Sequence, residues 1–193
     1  ALDPERRGFV ATLNAVAPRL AARRLVYAAE DAHPGPDWLA RGTAAMEASG
    51  ARLLGFNCGK WDGRIAAFGL LDLAWARGLY GGPAMCPEYR AHRADNELTV
   101  IARAQGAYAY DPRAILMERD AAKALRPRDG APPGQDAADR AIFRRRFRRG
   151  FNGLAPADAL AALAPDYLGP RRAEAVAAGL DPAGGPAEAT TGP

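Results

Sequence analysis

The chain has 193 residues, 49% of them hydrophobic, which suits one domain with a buried core and excludes disorder throughout. Lys+Arg 26 against Asp+Glu 22 leaves a formal charge of +4, too small an excess to argue for a polyanionic partner. Cys58 and Cys86 are too few for a disulfide scaffold and lack CxxC spacing or His partners for zinc, and no apolar run approaches the ~18 residues of a transmembrane helix.

The N-terminus also lacks the apolar core of a secretory signal, so the expected setting is reducing and cytoplasmic, at most peripheral to a membrane. A start at Ala1 rather than Met reads as a fragment or a processed product.

Leu13, Val16 and Leu20 recur at helical spacing behind Asp3-Pro4, predicting a helix over residues 4 to 23 that Pro18 kinks or shortens. Leu25 to Ala29 is a short apolar strand ending abruptly in Glu30-Asp31. The turn His33-Pro34-Gly35-Pro36 is expected to break regular structure, with Asp37 capping a helix from Trp38 to Ala48 that Ser49-Gly50 stops. Arg52 to Phe56 reads as a strand, Asn57 to Gly63 as a polar, glycine-rich loop, Ile65 to Leu71 as a strand and Leu73 to Leu79 as a short helix. After Gly81-Gly82-Pro83 comes a helix over Asp95 to Gln105, then strands Ala107 to Tyr110 and Ala114 to Glu118 around an Asp111-Pro112 turn.

The composition changes after Asp120. Arg126 to Gln135 resembles a linker, Ala137 to Arg149 a basic helix, Ala157 to Leu163 a small helix, and Gly179 to Pro193 a disordered tail. The expected organisation is a core over 1–120, a linker and helical extension over 121–180, and a tail over 181–193. Strand-helix alternation predicts an α/β layer architecture.

Two acidic groups stand out. Glu30-Asp31 closes a strand, where open α/β sheets place their ligands, and carboxylates there suit Mg²⁺ or Mn²⁺ bridging to substrate phosphates. The plain alternative is an exposed turn. Asp95-Asn96-Glu97 opens a helix, where acids favour the dipole in any case; as chemistry, one carboxylate would serve as general base toward a hydroxyl.

The order of these features, Leu13-Asn14, Leu25 to Asp31, Pro34-Gly35-Pro36-Asp37-Trp38-Leu39, Leu54-Gly55-Phe56-Asn57, Gly81-Gly82, Asp95-Asn96-Glu97-Leu98, Arg103 and Gly106, resembles family 2 glycosyltransferases of the GT-A fold. The resemblance implies a GT-A-like mixed sheet flanked by helices, incomplete at its N-terminus where the nucleotide cradle would lie. It places metal ligation on Asp31 and Glu30, with Ala29 where an aspartate often begins the motif. It places the catalytic base at Asp95 and the later acid at Glu97, with Ala94 replacing a glutamate. It implies transfer of a sugar from a nucleotide-sugar donor to a hydroxyl acceptor on a glycan, lipid or protein, with inversion, and a divalent cofactor, Mn or Mg.

Asn57, Trp61 and Asp62 are candidates to touch sugar, although a plain surface loop fits them equally. Arg119 stands where the family often has a histidine and would face a diphosphate; His33 lies two residues past Asp31, and His92 close to Asp95. The competing function is an inactive remnant or a binding module that engages an anionic partner through the basic helix 140–149, nucleic acid not being expected. A third reading makes that helix structural, with Phe143 and Phe147 on the core and its arginines in water.

Overall fold

A computed structural model describes residues 7–119 and 135–168. The expected linker over Arg126 to Gln135 lies outside the described residues except for Gln135, which opens a helix, and the expected tail over 179–193 lies outside them altogether. The elements in chain order are α1 (Phe9–Val16) with a 3-10 turn at Ala17–Arg19, β1 (Arg24–Tyr27), β2 (Ala32–Pro34), α2 (Trp38–Ser49), β3 (Leu53–Asn57), β4 (Gly69–Asp72), α3 (Leu73–Tyr80), α4 (Ala94–Ala104), β5 (Tyr108–Glu118), α5 (Gln135–Arg148), a single left-handed turn α6 (Gly150–Gly153) and α7 (Ala157–Leu168).

The architecture is mixed α/β. Five strands form a curled mixed sheet in the order β1-β4-β3-β5-β2. β4 runs antiparallel to both β1 and β3, β5 runs parallel to β3, and β2 returns antiparallel along the end of β5. β1, β3 and β5 therefore point the same way, and their carboxyl ends share one edge.

The register explains why these strands read as continuous apolar runs. Leu25, Leu71, Leu53 and Tyr108 lie opposite one another and face a cluster built with α1, α3, α4, α5 and α7. Val26, Leu70, Leu54 and Ala109 alternate to the other face, where Met46 and Trp38 of α2 cover them. Both faces of the central strands are covered, so their middles are apolar or small, and charged residues fall at strand ends, as Arg24 and Asp72 do, or at the β5 irregularity, as Asp111 and Arg113 do. Gly42 lets α2 approach closely: a Cβ there would come within 2.7 Å of the Phe56 ring.

Four expectations are corrected by local geometry. His33-Pro34 belongs to a strand, because β2 is an edge strand paired only with Leu116–Glu118 and needs no N–H from proline. Asp37 adopts a left-handed conformation (φ 54°) and its side chain makes no capping bond to α2. The two strands expected at 107–110 and 114–118 are one, and the Asp111-Pro112 turn survives inside it as a bulge: Gly55 lies opposite Tyr110, yet Asn57 lies opposite Ile115. Ile65 to Phe68 is not strand; only Gly69–Asp72 pairs.

The helical extension is no separate unit among the described residues. Phe143, Phe147 and Phe151 stack on one another with centroids 5.5–5.9 Å apart and join the larger core cluster. The basic helix thus follows the structural reading for its two phenylalanines.

Candidate functional site

Two cavities open at the carboxyl edge of the parallel strands. The larger, about 360 Å³, is lined by Phe9, by Tyr27 to Glu30 at the end of β1, by Ala67 and Phe68 ahead of β4, and by Ala91, His92, Ala94 and Asp95 at the start of α4. The smaller, about 200 Å³, is lined by Trp61, Ile65, His92, Arg93, Asp95 and Asn96. His92 and Asp95 belong to both walls.

A relay of hydrogen bonds ties these segments together. The Tyr27 hydroxyl donates to the Ala66 carbonyl (2.6 Å), the Ala66 N–H donates to Thr99 Oγ1 (3.0 Å), and the Thr99 hydroxyl donates to the Asp95 carbonyl (2.7 Å). Thr99 sits one turn beyond Asp95 on α4, so the relay fixes the helix start against the end of β1. Burial pushes the Asp95 carboxyl above the ordinary aspartate range; the Asn96 N–H and the Arg93 charge pull the other way without cancelling it.

The loop carrying His92 is held from α5. Asp139, buried, accepts the N–H groups of Arg90 (3.1 Å), Ala91 (3.0 Å) and His92 (2.7 Å). Arg93 then enters α4 with φ 71°. On the far side, Asn14 clamps the loop before it: Ala84 and Met85 N–H groups donate to its Oδ1 at 3.0 Å and its Nδ2 donates to the Met85 carbonyl at 2.9 Å.

The expected site residues divide. Glu30 lines the larger cavity with Asp95, whereas Asp31 does not; its carbonyl accepts the Arg119 N–H (2.9 Å) and its Oδ1 is buried. Trp61 lines the smaller cavity. Asn57 is occupied in shaping its loop: Nδ2 donates to the Pro112 carbonyl and Oδ1 accepts from Gly59 N–H. Asp62 is exposed with φ 46°, Arg119 is exposed beside Asp31, and His33 is exposed on β2; none of the three lines either cavity.

Glu97 is a correction. It is fully buried and takes a two-pronged pair from Arg146, Nε to Oε2 and Nη2 to Oε1 both at 2.8 Å, with the Tyr89 hydroxyl on Oε2 at 2.7 Å. Two residues from Asp95 on a helix point to a different side, and this carboxylate is committed to holding α5 against α4. It lines neither cavity.

Among the described residues no group of three or more His, Cys, Asp or Glu side chains is placed to hold a metal ion. A dedicated protein cage is therefore lacking there, and a cation at this edge would depend on Glu30 and Asp31 together with substrate phosphates. No family model, no curated protein and no solved structure matches the chain. Among the described residues no helix is long and apolar enough to cross a membrane.

The aromatic walls Phe9 and Phe68 and the anchor Asp139 were not legible as site residues. Phe9 is 39% exposed beside the cavity, and an exposed aromatic on an otherwise apolar helix face shows only once the helix is oriented. Asp139 lies among arginines in the sequence and reads there as one more charge on a solvated helix.

Proposed function

We propose that the chain carries the metal-side and acceptor-side part of a GT-A-type, family 2 glycosyltransferase, moving a sugar from a nucleotide-sugar donor to a hydroxyl acceptor with inversion. The observation that carries the reading is that Glu30, in the turn three residues past β1, and Asp95, starting a helix far along the chain, line one cavity at the carboxyl edge of parallel strands. The sequence resemblance assigns those two positions to metal ligation and proton abstraction.

In this reading Asp95 accepts the proton from the acceptor hydroxyl as its oxygen bonds to the anomeric carbon and the bond from that carbon to the diphosphate breaks. A carboxylate raised by burial is closer to the operating pH of a general base than a solvated one. Glu30 and Asp31 would hold a divalent ion whose charge stabilises the departing diphosphate. Phe9 and Phe68 keep water from the reacting carbon.

The competing role, docking of an anionic partner on helix 140–149, has less support. Arg146 is buried against Glu97 and Glu88, and Arg145 pairs with Glu88, so two cations of the cluster are already neutralised.

The test is nucleoside diphosphate release from a panel of nucleotide-sugars by the protein that contains this chain. Asp95→Asn is expected to lower turnover by about 10²–10⁴-fold, the usual worth of a positioned base. Unchanged turnover in Asp95→Asn would reject the assignment.

A further inference from the structure

Among the described residues three large hydrophobic side chains are exposed: Phe9 (39%), Leu39 (42%) and Trp61 (41%). Two of them flank Asp95, Phe9 in the larger cavity and Trp61 in the smaller. Leaving an indole in water is unfavourable, and on a slack loop it would fold back onto apolar surface.

The Trp61 loop is not slack. The Tyr108 hydroxyl donates to the Gly63 carbonyl (2.8 Å), the Tyr167 hydroxyl donates to the Arg64 carbonyl (2.5 Å), and the Arg64 N–H donates back to the Trp61 carbonyl (2.8 Å). Lys60 pairs with Glu118 at 2.6 Å, and Asn57 ties the loop's start to the β5 bulge at Pro112. Gly63, at φ 75°, lies so close to Tyr110 that a Cβ would come within 2.6 Å of the ring. A segment fastened at this many points to β5 and α7 presents its indole in a fixed place.

The cavity beneath it has two unlike walls. Trp61 and Ile65 supply an apolar side, and His92, Arg93, Asp95 and Asn96 supply a polar one. Its volume of about 200 Å³ is below the roughly 300 Å³ from which pockets take drug-sized ligands, so it suits one ring rather than an extended chain. A ring with a C–H face for the indole and a rim of hydroxyls for the polar side is a pyranose.

We infer that the small cavity between Trp61 and Asp95 is a saccharide subsite, and that the acceptor is therefore a glycan whose terminal ring stacks on Trp61 and turns a hydroxyl to Asp95. This rests on the transferase reading for the word acceptor, and on Trp61 and the cavity alone for the word saccharide. The shared Asp95-His92 wall places the two rings on either side of the base: donor sugar in the larger cavity, acceptor in the smaller. A lipid or an unfolded peptide would need a longer and more uniformly apolar groove.

The experiment follows the Trp61 indole N–H in a ¹H–¹⁵N spectrum, identified as the indole signal lost in Trp61→Phe. The whole chain is titrated with the methyl glycosides of glucose, galactose, mannose, N-acetylglucosamine and rhamnose, and with cyclohexanol as an apolar ring of similar size. At least one glycoside is expected to shift the signal saturably and to bind at least about tenfold more weakly to Trp61→Ala as read at the His92 and Asn96 amides, whereas Leu39→Ala, which removes an exposed apolar side chain lining neither cavity, should bind it undiminished. Trp61 is exposed, so Trp61→Ala keeps the fold, and its remaining amide spectrum verifies this. Silence of the indole toward all five glycosides, or a cyclohexanol response as strong as theirs, overturns the subsite. Glycoside binding with full turnover in Asp95→Asn would leave the subsite standing and remove the transferase reading; the reverse pattern would remove the subsite alone.

Discussion

Replacing Arg146 by methionine removes one half of the buried pair that joins α5 to α4. The guanidinium makes two bonds of 2.8 Å to Glu97 and a third of 2.5 Å to Glu88, with its side chain 6% exposed and that of Glu97 at 0%. Without it Glu97 keeps the Tyr89 hydroxyl but loses the guanidinium that neutralises it, and becomes a buried charge facing neutral phenols. Breaking such a pair costs about 3–5 kcal/mol, whereas replacing both partners by apolar groups of similar volume is often neutral. At a urea m-value of about 2 kcal/mol/M the single variant should lower the midpoint by roughly 2 M, and Glu97→Leu with Arg146→Met should recover most of that loss. Equilibrium urea unfolding followed by circular dichroism reads both. A single-variant loss under about 1 kcal/mol, or a double variant as damaged as the single one, would refute the claim that Glu97 serves the fold rather than the chemistry.

Other perturbations probe the parts that position the cavity. Asp139→Ala strands three N–H groups and should cost about 3 kcal/mol or more, with amide exchange at Arg90 to His92 accelerated ahead of the global rate; unchanged protection there would contradict the anchoring role. Asp95→Asn should stabilise the protein at pH 7. A carboxyl raised by burial favours its protonated form, so its stability is full below the unfolded aspartate value of about 3.9 and is lost as pH rises through the folded value; the variant's gain should vanish below that lower pH in paired urea curves. Burial pushes the Cys86 thiol up to about 12 and Cys58 is buried too, so neither should react with a thiol reagent at pH 8 until denaturant is added, and titration of native protein checks it.

How far the sequence carried the account depended on whether the deciding partner was local. β1, β3, α2, α3 and α4 were legible within a residue or two of a terminus because short apolar runs and glycine stops are local signals. β2 was not, since His33-Pro34 becomes strand only by pairing with Met117 and Leu116, which lie far along the chain. The bulge at Asp111 to Ala114 was read as a turn between strands because its proline and acid are turn residues wherever they occur. Glu97 looked like Asp95 in the sequence. What separates them is Arg146, 49 residues further on, and nothing in the Asp95-Asn96-Glu97 triplet announces it. Asn14 carried part of the family resemblance, and its place turns out to be a clamp on Ala84 and Met85. Of the two acids expected after β1, Glu30 lines the cavity and Asp31 does not, a difference that adjacent carboxylates do not announce in the sequence.

The claim that Asp95 is the base of a sugar transfer is tested most directly by comparing wild type, Asp95→Asn and Glu97→Gln for nucleoside diphosphate release across the nucleotide-sugar panel, each scaled to its folded fraction. The account predicts release by wild type and by folded Glu97→Gln, and loss of about 10²-fold or more in Asp95→Asn. Equal release by wild type and Asp95→Asn, or loss in Glu97→Gln alone, would contradict it.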